Sequence, residues 1–169
     1  GCFGAHFGST PAPGLYAAKA QMLDRVLSLD PSGGPWGLGQ ALGERDIDPS
    51  HWAFAAHFKN DPVLPGTLIV EGAEQLVRFY LYYLGLQSLD YLKPQLICEH
   101  TYSAKFRGEV KCAPDKLQCR LSVKRLECKP AADGRIASLE ILFIAETLYR
   151  NKVIGVCDNL GARFVADAS

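Results

Sequence analysis

The residues best suited to chemistry lie in one short segment, His57-Phe58-Lys59-Asn60-Asp61-Pro62-Val63-Leu64-Pro65-Gly66, with Glu71 and Gln75 just beyond it. A histidine changes charge near neutral pH and serves as a general base. Pro62 and Pro65 each fix a backbone angle and stiffen the loop that carries His57. Gly66 lets the backbone approach another group closely. It opens an apolar run that reads as a helix, and a helix start presents unpaired N–H groups and the positive end of the dipole. That arrangement suits a carbonyl oxygen gaining negative charge. Glu71 lies about one turn into this otherwise apolar helix, where burial favours a protonated carboxyl able to act as an acid. Gln75 follows four residues later on the same face and can hold that carboxyl in place. A base, an oxyanion donor and an acid are the parts needed to take a proton beside a thioester carbonyl and expel a β-hydroxyl.

These groups need a frame. The stretch Thr67 to Leu84 is the one long helix predicted, with Leu68, Ile69, Val70, Ala73, Leu76, Val77, Phe79, Leu81 and Leu84 spread around most of its circumference. Such a helix is expected to be buried on nearly all sides and to end at Gly85. Before it, Met22 to Leu29 reads as a strand closed by Pro31-Ser32-Gly33-Gly34, and Leu38 to Ile47 as a weaker strand whose glycines suit bulges. After it, Leu117 to Leu126 alternates, with Leu117, Cys119, Leu121 and Val123 on one face. Asp133-Gly134 signals a turn. Arg135 to Tyr149 and Val153 to Cys157 complete a β-rich second half. Two strands, one buried helix and about four further strands predict a helix wrapped by a curved antiparallel sheet. The Gly/Pro-rich start predicts residues 1–15 as a linker or tag remnant and 16–169 as a single domain, cut from a longer chain.

The totals exclude several classes. Lys plus Arg and Asp plus Glu are 18 each, so no nucleic-acid partner is indicated. No run of about 20 apolar residues occurs, so no membrane span is expected. The six cysteines form no Cys-x-x-Cys pair and flank no spaced histidine pair, so no metal site is predicted. A disulfide framework is not expected in a chain of this size and apolar content. Cys119 reads as a buried thiol, and a reducing cytoplasmic setting follows.

The segment from His57 to Gly66 resembles that of the hotdog-fold 3-hydroxyacyl-[acyl-carrier-protein] dehydratases. The resemblance is closest to the β-hydroxydecanoyl branch and to the dehydratase domains of polyunsaturated fatty acid and polyketide synthases. The shared signature is H-F-x-x-D-P-V-x-P-G, then a carboxylate fourteen residues after the histidine, then Gln four further on. Met22 to Val26, Gly33-Gly34, Trp52, Phe79-Tyr80-Leu81, Lys105-Phe106 with Gly108, and Lys124-Arg125 extend the likeness over roughly residues 20–165. The resemblance implies an α+β hotdog fold assembled as a double-hotdog homodimer with shared sites. It implies that His57 removes the C2 proton and Glu71 protonates the departing hydroxyl. The Gly66 N–H would bind the thioester carbonyl beside Pro65, and the Val63 carbonyl would orient the imidazole. No cofactor is consumed, and the substrate rides on the phosphopantetheine of an acyl carrier protein or of coenzyme A. Partners would be that carrier and neighbouring synthase domains. The decanoyl branch has Asp where Glu71 stands and small residues where Thr67 and Ile69 stand. A trans-2-enoyl product is therefore expected, with isomerisation to cis-3-enoyl as the alternative.

Other readings compete. An acyl-thioesterase would use Glu71 to activate water, but leaves His57 unexplained. A non-catalytic acyl-binding or dimerisation domain would not need the pair. Glu74 and Arg78 form the better helical ion pair, leaving Glu71 free. His6, His51 and His100 read as structural or exposed, and Trp36 and Trp52 as packing residues. Residues 105–129 hold eight basic and three acidic side chains. A solvated strand face explains them better than a docking face for an acidic carrier.

Overall fold

The computed structural model describes residues 18–95 and 101–167. The proposed linker, His6 and His100 lie outside them. Strands β1 (Arg25–Asp30) and β2 (Gln40–Ile47) precede a short helix α1 (Trp52–Ala56) and the long helix α2 (Gly66–Tyr83). Then come β3 (Leu92–Gln95), β4 (Ser103–Phe106), β5 (Asp115–Pro130), β6 (Ile136–Tyr149) and β7 (Lys152–Ala166). The strands join in one antiparallel sheet in the order β1-β2-β5-β6-β7-β3, with β4 also paired to β7. This is the hotdog arrangement: a long helix cradled by a single curved sheet.

The β-branched and aliphatic residues that alternate along β5, β6 and β7 explain why these strands are long and central. Leu121, Val123, Ile141, Phe143 and Cys157 face Ala73, Leu76, Val77 and Tyr80 of α2 in the main core. The Tyr80 and Phe143 rings meet edge-on at 5.6 Å. Leu76 is fully buried, a contribution of about 1.5–3 kcal/mol. A second cluster lies under the start of α2, where Ile69 packs with Met22, Ile47, Phe54, Leu64, Val110 and Tyr149. That cluster anchors the loop between His57 and Gly66.

Several expectations are corrected. Met22 and Leu23 are buried but precede β1, which starts at Arg25 and carries its irregularity between Val26 and Ser28. Gly39 lies in the turn ahead of β2, and Gly43 within β2 pairs with Val26 beside the bulge that β1 carries. Gly39, at φ +127°, lets that turn pack on the Tyr80 hydroxyl. Helix α2 is not buried all round: Thr67, Arg78 and Tyr83 are exposed and Glu71, Glu74 and Leu81 half-buried. Its second apolar flank faces an open groove. Among the described residues five strands follow α2, and β7 runs on to Ala166 past a bulge at Asn159. Trp36 and Trp52 are exposed instead of packed in the core, and Trp52 donates its indole N–H to the Lys19 carbonyl. Cys119 is half-buried as a residue, and burial of its sulfur pushes the thiol up to about 12. Among the described residues no helix is long and apolar enough to cross a membrane.

Candidate active site

Helix α1 has five residues, opened by His51, whose ring Nδ1 accepts from the Ala53 amide, and closed by His57 in extended conformation. His57 is then tied to Val63 twice. The Val63 amide donates to the His57 carbonyl at 2.8 Å, and the His57 Nδ1 lies 3.2 Å from the Val63 carbonyl oxygen. A carbonyl only accepts, so in neutral imidazole Nδ1 carries the hydrogen and Nε2 carries the lone pair. The loop is fixed in turn by Leu64 donating to the Val110 carbonyl and by an isolated bridge between Val63 and Lys111. Lys111 also pairs with Asp61 at 3.0 Å. The Phe58 ring lies 3.9 Å from the imidazole and is itself exposed.

Pro65 stands just before α2 and accepts from the Leu68 and Ile69 amides. Helical geometry leaves the next amides, of Gly66 and Thr67, with no partner inside the helix. Gly66 has ordinary helical geometry, so its need for glycine comes from packing. A Cβ there would meet the Phe106 ring at 3.0 Å. Glu71 is half-buried, not buried as the sequence suggested. Its Oε1 accepts from Gln75 Nε2 at 3.0 Å. Gln75 is 3% exposed and fully used: Nε2 also donates to the Ala20 carbonyl, and Oε1 accepts from the Met22 amide. One glutamine thus fastens the segment before β1 onto α2 and aims the acid.

His57 and Glu71 are each held by their own neighbour. Among the described residues no hydrogen bond or ion pair joins them within one chain. Glu74, one turn beyond Glu71, was considered in the sequence only as an ion-pair candidate. Burial pushes its carboxyl up, and Glu71 adds to this whenever it carries its charge. Its i+3 spacing from Glu71 was the available signal. Several of the basic residues of the 105–129 strand face are engaged in pairs: Lys116 with Glu44, Arg120 with Glu146, Lys124 with Asp158 and Arg125 with Glu127.

A family model described as the FabA-like domain matches residues 15–149. One subunit of a polyunsaturated fatty acid synthase from Thraustochytrium sp. is 33% identical over 116 residues, 66% of this chain and 8% of that relative. The chain therefore spans a small part of that relative's length. Among solved structures, the TT0310 protein from Thermus thermophilus superposes with a TM-score of 0.47 at 10% identity, covering 84% of this chain and 90% of that one. The BH1999 gentisyl-coenzyme A thioesterase gives 0.48 at 10% identity, covering 73% and 87%.

Proposed function

The chain belongs to the FabA-like family of hotdog dehydratases, and from that membership we propose that it removes water from 3-hydroxyacyl thioesters to give trans-2-enoyl thioesters. The observation that carries this reading is the commitment of His57 Nδ1 to the Val63 carbonyl, which leaves Nε2 as a base at the end of a stiff loop. Nε2 takes the C2 proton. The electron pair moves onto the thioester oxygen, which is stabilised by the Gly66 N–H and the positive end of α2. As the pair returns, the C3–O bond breaks. Protonated Glu71, aimed by Gln75, gives its proton to the departing hydroxyl, and water leaves. Transfer of the proton from His57 back to Glu71 resets the site. Nothing is oxidised or reduced, so no cofactor is consumed.

The working site is shared by two copies, with His57 from one acting beside Glu71 of the partner subunit. The separate anchoring of the two side chains supports this. The substrate arrives on a phosphopantetheine arm, from an acyl carrier protein or coenzyme A, and the chain works as one domain of a multidomain synthase. The relation to part of a polyunsaturated fatty acid synthase supports that setting.

Mass spectrometry of the protein with a 3-hydroxyacyl N-acetylcysteamine thioester, and separately with the trans-2-enoyl thioester, tests the reading. Interconversion by loss or gain of water is expected, with the double bond at C2. His57→Ala should slow it by about 10²–10⁴-fold. Release of free thiol without dehydration, or full activity in the variant, would overturn the assignment.

A further inference from the structure

The start of α2 rests on an aromatic ring. Phe106 ends β4 and stands opposite Gly155 of β7 in the ladder. A Cβ built at Gly66 would meet the Cε2 and Cδ2 atoms of that ring at 3.0 and 3.1 Å. One built at Gly155 would meet Cδ1 and Cε1, on the opposite edge, at 2.6 and 2.7 Å. The ring is therefore wedged between the first residue of α2 and the backbone of β7. A push on it from α2 drives it onto β7, where even glycine leaves little room. Gly155 is buried and Phe106 half-buried. Phe106 also packs against both hydrophobic clusters, so the sheet and core set its place.

The chain that carries the ring continues along the loop between His57 and Gly66. The Arg107 amide donates to the Ile154 carbonyl at 2.8 Å. A Cβ at Gly108 would meet Ile154 at 2.8 Å, so this segment lies close on β7. The Val110 carbonyl then accepts from the Leu64 amide, and Lys111 bridges to Val63, whose carbonyl faces His57 Nδ1. Residues 106–111 thus meet the loop at both ends. At the base end the link is made by the backbone, and at the helix end by the Phe106 side chain. A helix-start N–H stabilises a developing oxyanion only when correctly placed. A misplacement of about 1 Å can cost on the order of 10²-fold in rate.

We propose that Phe106 is a positioning residue for dehydration: its ring fixes where the Gly66 N–H stands, and so how well that amide meets the thioester oxygen as it gains charge. This role rests on the dehydratase reading. Phe106 acts through Gly66 and takes no part in the chemical step. The usual helix preference is then reversed at position 66. Alanine favours a helix over glycine, yet here its methyl would lift the start of α2 off the ring.

Steady-state kinetics with a 3-hydroxybutyryl N-acetylcysteamine thioester test this. Phe106→Leu and Gly66→Ala should each lower kcat by about 10–100-fold and leave KM within about twofold. The double variant should turn over faster than either single variant, because the added methyl fills space that the ring vacates. Phe143→Leu, a like loss of packing against α2 in the main core, should leave kcat close to native. Native kcat in Phe106→Leu would overturn the proposal. So would rate losses that simply multiply in the double variant, or an equal loss in Phe143→Leu. Should Phe106→Leu fail to fold, Phe106→Met keeps more of the volume and carries the same expectations. A crystal structure of the Phe106 variant reads the position directly, and the Gly66 nitrogen should be displaced relative to β5 and β6. An undisplaced nitrogen would overturn the positioning role whatever the activity. Failure of the native protein to turn over the thioester at all would sink the dehydratase reading instead.

Discussion

At the scale of single residues, the site depends on side chains whose hydrogen-bonding capacity is almost fully committed. The Val63 carbonyl fixes which imidazole nitrogen holds the proton. Gln75 divides its amide among Glu71, Ala20 and Met22 while 3% exposed. Replacing Gln75 with Leu keeps the volume but leaves the buried Met22 amide without its acceptor and frees the Glu71 carboxyl. The expected loss of stability is about 1–3 kcal/mol, read from denaturant midpoints, with kcat falling further than binding. A variant with native stability would show that the clamp has no role in fastening the segment before β1.

At the scale of elements, Glu44 of β2 joins three strands. It is 4% exposed and bonds Lys116 and Gln118 of β5 and Arg25 of β1. The Lys116 ammonium first, then Gln118 and Arg25, hold its carboxyl down at about 2, from an ordinary 4.5. The folded value lies below the unfolded one, so the unfolded chain takes up this proton first. The stabilisation is complete above 4.5 and is lost as pH falls toward 2. Glu44→Gln should therefore destabilise by about 1–3 kcal/mol at pH 7, and the gap to native protein should narrow at pH 3. Chemical denaturation at both pH values measures this. An equal gap at the two would mean the charge of Glu44 contributes nothing. The same strands show why β5 and β6 were readable in outline: paired on both sides, they need apolar residues facing α2 at every second position.

At the scale of the whole molecule, the shared site predicts complementation. Coexpressed His57→Ala and Glu71→Gln chains form mixed dimers in which one of the two sites keeps both groups. Random pairing should restore about a quarter of native turnover from two inactive parents. A mixture as inactive as either parent, with mixed dimers confirmed by native mass spectrometry, would place the whole site inside one chain. The unfilled flank of α2 belongs to this scale too. A helix that is apolar nearly all round was expected to be enclosed, and within one chain it leaves a groove along Glu74, Val77 and Leu81.

The sequence by itself determined what depends on near neighbours. Pro62, Pro65 and Gly66 specify a stiff loop running into a helix start. The apolar spacing from Leu68 to Leu84 specifies that helix, found at Gly66–Tyr83, and Asp133-Gly134 specifies the turn between β5 and β6. The two-strand, helix, multi-strand order specifies the fold class. Only the tertiary structure decided what depends on residues far apart in the chain. The demand for glycine at position 66 comes from Phe106, forty residues away. Gln75 acts on Ala20 and Met22 as well as on Glu71, and Glu71 proves half-buried. The Asn159 bulge of β7 also comes from the tertiary structure alone, since a bulge is a property of strand pairing and leaves no mark in the local pattern of apolar and polar residues.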